Sequence, residues 1–417
     1  MIFIYRLLIN IIFIISPIII IIRLIKKKES IYRLKEKYCF FSEKRRTGKL
    51  IWFHGASVGE LQSIMPLIQR LEKDHRIKQI LVTSNTLSSS KIIKKNNFKK
   101  VTHQFFPIDT KILTKSFLNY WQPEAVFFID SEIWPNMLYN IKKYKIPLAL
   151  INGRITKKTF KKWIKIPKFS QEIFKKFDFC LASSNESKNL LKKLGAKNII
   201  FYGNLKFSQI HNENTFLENN IEKLIKNKIV WCASSTHETE EKICGIIHNN
   251  LKKKYKNLLT IIIPRHINRT EAIKNELKRL NLKVFIENSN LKLENNIDIF
   301  IVNSYGKTRS FYSSCKNVFL GGSLIKHGGQ NPLEAARFGC NILHGPNVHN
   351  FKEIYKFLEN LKISKKINNL NQMTKALERL MQLKHKTLNN KKKLELIGKK
   401  VLDSTYHRIN ILINDKY

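Results

Sequence analysis

Acidic residues are scarce in this sequence: 31 Asp and Glu stand against 76 Lys and Arg, a formal net charge of +45 over 417 residues. Cysteine is sparser still. The six, at Cys39, Cys180, Cys232, Cys244, Cys315 and Cys340, form no Cys-x-x-Cys pair and no His/Cys cluster with zinc spacing. That pattern points to a reduced compartment and excludes a structural zinc of the usual kind. A Walker sequence and a clean G-x-G-x-x-G are also missing, so nucleoside triphosphates and NAD are poorly supported. No acidic cluster is arranged for a divalent ion. The cationic excess would suit nucleic acid, yet neither a basic stripe with interleaved aromatics nor a base-reading module accompanies it. Lys, Asn and Ile crowd every segment instead. The charge therefore implies a general attraction to anionic lipid and acidic substrates.

Apolar residues are plentiful, at 43%, enough to fill two cores in a chain of this length. The tract LLINIIFIISPIIIII, Leu7 to Ile22, carries no charge, with Arg6 before it and Arg23, Lys26, Lys27 and Lys28 after it. With its flanks it approaches the roughly 20 residues that cross a bilayer. No small-residue cleavage site follows, which argues against a signal peptide. Residues 1–28 therefore read as a membrane anchor, and the positive cluster on its C-terminal side keeps the body in the cytoplasm. Pro17 and the modest length leave a segment lying in the interface as the rival.

Beyond it, short apolar runs alternate with amphipathic ones. KLIWFH, QILVTS, EAVFFID, LALING, FDFCLASS and NIIFYG have strand length, and ELQSIMPLIQRLEKD places Leu61, Ile64, Leu67, Ile68 and Leu71 at helical spacing. A second series follows: KIVWCASS, LLTIIIPRH, LKVFIE, IDIFIVNS, KNVFLGG and CNILHG. Between the two, residues 209–228 are polar and lack strand runs. The expectation is an α/β protein of two Rossmann-like domains, 29–208 and 229–417, joined by a linker and facing one another across a cleft.

Ligands of open α/β sheets bind beyond the carboxyl ends of the strands, and those ends are chemically loaded here. Glu60 follows the first strand, on a turn of His54, Gly55, Ser57 and Gly59. A carboxylate in a first helical turn is either a cap favoured by the helix dipole or a reactive group beside small residues, and both readings stay open. Asp130, Glu132, Trp134 and Asn136 follow EAVFFI; Arg154 and Lys206 follow later strands. In the second series, Pro264, Arg265 and His266 leave a very apolar strand. Gly321, Gly322, Gly328 and Gly329 lead to Asn331 and Glu334, a pattern that exposes N–H groups to a phosphate and a carboxylate to ribose hydroxyls.

HGASVGE, DSEIWPN, GNLKF, CASSTHETEE, IIPRH and GGSLIKHGGQNPLEAA, in this order behind an apolar N-terminus, resemble the 3-deoxy-D-manno-octulosonic acid (Kdo) transferases of lipopolysaccharide synthesis. The resemblance covers nearly the whole chain. It implies a GT-B fold, CMP-Kdo as donor, the lipid A precursor lipid IVA as acceptor, and the bacterial inner membrane as location. It implies Glu60 as general base and Glu132 and Lys206 as stabilisers of the transition state. CMP contacts fall on Pro264, Arg265, Gly306, Lys307, Thr308, Asn331, Pro332, Leu333 and Glu334. One segment departs from the family: in IVNSYGKTRSFY, Asn303 and Lys307 stand where relatives usually carry acids. Two alternatives remain, a membrane-bound GT-B transferase with another nucleotide sugar and a relative that has lost turnover.

Overall fold

The computed structural model describes residues 1–27, 29–209, 216–287, 294–382 and 387–414. Two units emerge, Met1–Ile210 with Ile397–Tyr417, and His211–Leu396. Each is built on a parallel sheet of seven strands with helical connections.

The first sheet runs β3-β2-β1-β4-β5-β6-β7. Its strands are β1 (Lys49–His54), β2 (Ile77–Ser84), β3 (Val101–Phe105), β4 (Ala125–Ile129), β5 (Leu148–Gly153), β6 (Phe179–Ala182) and β7 (Ile199–Ile200). Continuous apolar runs suit central parallel strands because helices cover both faces. The two-residue side-chain period then sorts each run between two cores. Leu50, Trp52, Val126 and Phe128 enter one; Ile51, Phe53, Ala125 and Phe127 enter the other. The second sheet runs β10-β11-β9-β8-β12-β13-β14. Its strands are β8 (Ile229–Thr236), β9 (Leu258–Pro264), β10 (Val284–Ile286), β11 (Ile299–Ile301), β12 (Asn317–Leu320), β13 (Asn341–His344) and β14 (Ser364–Lys366).

Three features differ from the expectation. Edge strands β3 and β14 were not foreseen: VTHQF and SKK are polar, and β3 buries Thr102, His103 and Gln104 rather than aliphatic side chains. Part of the expected linker is the helix Asn219–Lys226, whose Ile221, Leu224 and Ile225 are buried in the second unit; residues 210–215 of that linker lie outside the described residues. The second domain does not extend to 417. The end of the last helix, Thr387–Asn414, returns to the first unit, where Val401, Ile409 and Leu412 join the core of Leu61, Ile64 and Phe127.

Helix α1 (Ile2–Ile25) belongs to the first unit and is long and apolar enough to cross a membrane.

Candidate functional site

In the first unit, β1 delivers the chain through Gly55 to helix α2 (Val58–Glu72). A side chain at Gly55 would press on Leu61, Glu60 and Ile129, whereas nothing lies within 4 Å of where a Cβ on Gly59 would sit. Ser57 caps the helix and Glu60 completes a capping box. The Ala56 N–H donates to Glu60 Oε2 at 2.7 Å, and the Ser57 hydroxyl donates to Oε1 at 2.8 Å. The cap reading is thus correct as far as it goes. Burial, aided by the nearby charges of Glu132 and Asp130, nevertheless pushes the Glu60 carboxyl up to about 7.

Glu132 lies under the opposite influence. Burial would raise its carboxyl, but the His54 hydrogen bond and charge and the Trp134 hydrogen bond outweigh burial and hold it below the usual range. Trp134 Nε1 donates to Glu132 Oε2 at 2.8 Å. His54 Nε2 lies 3.2 Å from the same oxygen, and its Nδ1 lies 2.9 Å from Thr83 Oγ1, which also accepts from Trp52 Nε1. This chain of buried Trp52, Thr83 and His54 and half-buried Trp134 escaped sequence reasoning. Thr83 lies one strand away and 29 residues along from His54, and no local pattern links them.

Asp130 follows β4 with φ +58, a left-handed conformation that costs a non-glycine residue on the order of 1 kcal/mol or more. Two backbone bonds hold it there: its N–H donates to Ile151 O and its carbonyl accepts from the Arg154 N–H, both at 3.0 Å. Burial raises its carboxyl, against the pull of Lys206 and Arg154. Lys206 Nζ lies 3.7 Å from Asp130 Oδ2. The turn that carries Lys206 is fixed from β5, because Asn152 Oδ1 accepts the Leu205 N–H at 3.0 Å. Glu60, Asp130, Glu132 and Lys206 therefore gather at the carboxyl ends of β1, β4 and β5. Asn136 is structural, tied by its backbone and side chain to Asp109.

In the second unit, Pro264 ends β9 buried, while Arg265 and His266 are exposed. Arg265 shares its neighbourhood with His237, His327 and Arg269. The His237 ring lies 4.2 Å from that of His327 and 6.1 Å from that of His266, centre to centre. Burial and these surrounding cations pull the His237 imidazole down to about 4.

The glycine loop corrects the sequence reading. The N–H groups of Gly322, Ser323 and Leu324, with that of His237, all donate to the fully buried Glu240 carboxylate at 2.7–3.1 Å. Gly321 and Gly329 donate to backbone carbonyls. The amides of Gly321, Gly322 and Gly329 are thus engaged inside the unit rather than turned toward a ligand.

Gly306 is exposed, with φ +87 and nothing within 4 Å of its Cβ direction. Lys307 Nζ donates to Glu287 Oε1 at 2.9 Å and Glu218 Oε1 at 2.8 Å. Glu287 is buried and also accepts from the Asn303 N–H and the Ser304 hydroxyl. Thr308 opens the helix Thr308–Ser314. Arg309 from the same turn pairs with Glu334 at 2.7 Å. Asn331 Oδ1 accepts the Leu333 N–H at 3.1 Å, and Pro332 and Leu333 are buried. Among the described residues no three His, Cys, Asp or Glu side chains converge for a metal ion.

The sequence model of the family described as 3-deoxy-D-manno-octulosonic-acid transferase (kdotransferase) matches residues 32–209. A 3-deoxy-D-manno-octulosonic acid transferase of Rickettsia bellii is 35% identical over 398 residues, which cover 93% of each chain. The chain belongs to the Kdo transferase family. A Kdo transferase of Haemophilus influenzae is 30% identical, covering 88% of this chain and 86% of its own. A solved UDP-GlcNAc 2-epimerase from Neisseria meningitidis, 14% identical, superposes with a TM-score of 0.58 over 88% of this chain, which is a likeness of fold. As a Kdo transferase the protein is a glycosyltransferase of two parallel-sheet α/β units, and Glu60, Glu132 and Lys206 all fall within the segment that carries the family match.

Proposed function

We propose that the protein moves Kdo from CMP-Kdo to lipid IVA, with inversion, at the cytoplasmic face of the bacterial inner membrane. The observation that carries this reading is the pair of carboxylates driven apart, Glu60 up to about 7 and Glu132 below its usual range, beside Lys206. Two neighbouring acids with opposed environments are suited to different tasks. In this reading an acceptor hydroxyl attacks the anomeric carbon of Kdo and gives its proton to Glu60. The bond from that carbon to the CMP phosphate oxygen breaks, and its electron pair leaves with CMP. Glu132, held ionised, and Lys206 stabilise the charges that develop at the sugar.

In the second unit Arg265 answers the charge on the departing phosphate. Pro264, Gly306, Lys307, Thr308, Asn331, Pro332, Leu333 and Glu334 are assigned to CMP, with Lys307 acting through the loop it pins to Glu287. No resident metal has a role in this reading, and undiminished turnover in EDTA is expected. The apolar α1 is the attachment to the membrane. Purified protein incubated with CMP-Kdo and tetraacylated lipid IVA, with mass analysis of the lipid, tests the function. A Kdo adduct supports it; a product formed only from another nucleotide sugar, or none at all, overturns it.

A further inference from the structure

Helix α1 is not a bare rod. One stripe, at Tyr5, Ile9, Phe13, Ser16, Ile20 and Arg23, turns toward the body at spacings of three or four residues. Its polar atoms are used all the way along. Tyr5 donates to Asp109 Oδ2 at 2.7 Å and Arg6 to Asn136 Oδ1 at 3.1 Å. Ser16 Oγ lies 2.6 Å from Tyr38 Oη, with the Phe13 ring edge-on to Tyr38, and Arg23 donates to Glu29 at 2.7 Å. Tyr5 and Arg23 are separated by 18 residues, or about 27 Å of helix axis, against a hydrocarbon core about 30 Å thick. If α1 crossed the bilayer, Asp109 and Glu29 would sit at opposite leaflets with the loaded body wedged between them in hydrocarbon.

The other face is apolar except for the exposed Asn10. Phe3, Leu7, Ile14, Ile18 and Ile25 are exposed, and so are Ile31, Tyr32, Phe40 and Ile112 on the body. Phe40 and Ile112 are neighbours through the Cys39 thiol, which donates to Leu113 O at 3.1 Å. Exposed Lys26 and Lys27 flank the helix end. An exposed apolar helix face flanked by cations, with further exposed apolar side chains on the body, is what a leaflet with anionic headgroups covers. A spanning helix would bring its own far face into lipid but leave Tyr32, 90% exposed, and Ile112, 79% exposed, without a partner.

We propose that α1 lies flat in the cytoplasmic leaflet, docked along its length on the first unit, so that both of its ends and the body stay on one side of the membrane. This deepens the membrane reading above and rests on it. The test is the full chain with an N-terminal epitope in a Gram-negative host, treated with protease as spheroplasts and as inside-out inner-membrane vesicles. Loss of the epitope only from the inside-out vesicles is expected. Loss from intact spheroplasts shows a spanning helix and overturns the proposal while leaving membrane association intact. Recovery of the protein in the soluble fraction overturns both. Nitroxide labels at Ile4→Cys, Ile14→Cys and Ile25→Cys, on a Cys39→Ser background, give an independent reading in vesicles of phosphatidylethanolamine and phosphatidylglycerol. Three similar depths are expected; a maximum at residue 14 overturns the proposal.

Discussion

His54 Nε2 lies 3.2 Å from Glu132 Oε2, and Trp134 Nε1 donates to that same oxygen. The carboxylate that follows β4 is thereby bound to the last residue of β1, the strand that also leads to Glu60. The contact does more than join two strands. By favouring the ionised form of Glu132 it keeps a negative charge near Glu60, and that charge is one reason the Glu60 carboxyl sits near neutrality. A base poised near working pH and a neighbour that stays charged arise from one hydrogen-bonded group.

Glu60→Gln separates activity from stability. A folded-state value of about 7 against 4.5 means that the folded protein binds this proton more tightly than the unfolded chain does. Folding is therefore favoured below pH 4.5, and that contribution is lost as pH rises through about 7. At about 1.4 kcal/mol per unit, the ionised side chain costs up to about 3 kcal/mol at pH 8, less about 1 kcal/mol for the cap it forms. We expect Glu60→Gln to be more stable than wild type by roughly 1–2 kcal/mol at pH 8 and not at pH 5, while turnover falls about 10²-fold to 10⁴-fold. Thermal unfolding at the two pH values and product formation check both halves. In the wild type, kcat/KM should fall about tenfold per unit below pH 7, since a base must be ionised to act.

Glu240→Gln tests whether the glycine loop is held from within. An amide of the same size offers one acceptor oxygen and turns two N–H donors toward a site where four backbone N–H groups already converge. Leaving buried donors unsatisfied costs about 1–3 kcal/mol each, so unfolding of the second unit should shift by about 2–4 kcal/mol. CMP affinity, measured by calorimetry, should fall at least tenfold. Unchanged stability would mean that these amides find other partners.

Lys307→Glu should harm the loop more than Lys307→Met does. The ammonium is shared by Glu218 and the buried Glu287, and burial, which alone would lower the Lys307 pKa, is outweighed by these two carboxylates. A lysine raised in this way stabilises the fold below its unfolded value of 10.5, so the effect is present throughout the working range. Removing it leaves the buried Glu287 without its counter-ion, and a third carboxylate adds repulsion. Since Lys307 is partly solvated, about 1–3 kcal/mol is expected for the charge reversal, below the figure for a fully buried pair. CMP titration at low and high salt should show a loss of tenfold or more for Lys307→Glu that salt partly relieves, and a smaller, salt-insensitive loss for Lys307→Met.

Much of this was legible in the sequence. KLIWFH, EAVFFI and LLTIIIP are apolar enough to specify central parallel strands without any partner being known, and in the first unit the residues after KLIWFH and EAVFFI are among those that gather. What escaped depends on distant pairing. VTHQF is a strand because β2 offers it an edge, not because of its own side chains. The glycines of FLGGSL suggest free amides until Glu240, 82 residues from Gly322, is brought against them. The stretch from Ile397 onward carries apolar residues at helical spacing, and that periodicity cannot say which of two cores receives them.

Gly398 makes the last point testable. It lies in the closing helix where a Cβ would meet Phe207 O at 2.4 Å and Phe207 C at 2.9 Å. Phe207 follows Lys206 directly, in the turn Leu205–Ser208. In an exposed helix interior, glycine to alanine stabilises by about 1 kcal/mol. Here the added methyl meets backbone that cannot rotate away, and overpacking of that kind costs about 1–3 kcal/mol. The sign is therefore diagnostic. Gly398→Ala should destabilise the first unit and move the Lys206 ammonium relative to Asp130, lowering kcat by about tenfold or more while leaving CMP affinity unchanged, since a shift of about 1 Å in a positioned group has effects of that size. Leu412→Ala offers the control: it removes a buried side chain from the same helix, about 21 Å along it from Gly398, without adding bulk against the turn that carries Lys206. If Gly398→Ala is stabilising, or if both variants lose kcat equally, the helix supports the fold alone and does not position Lys206.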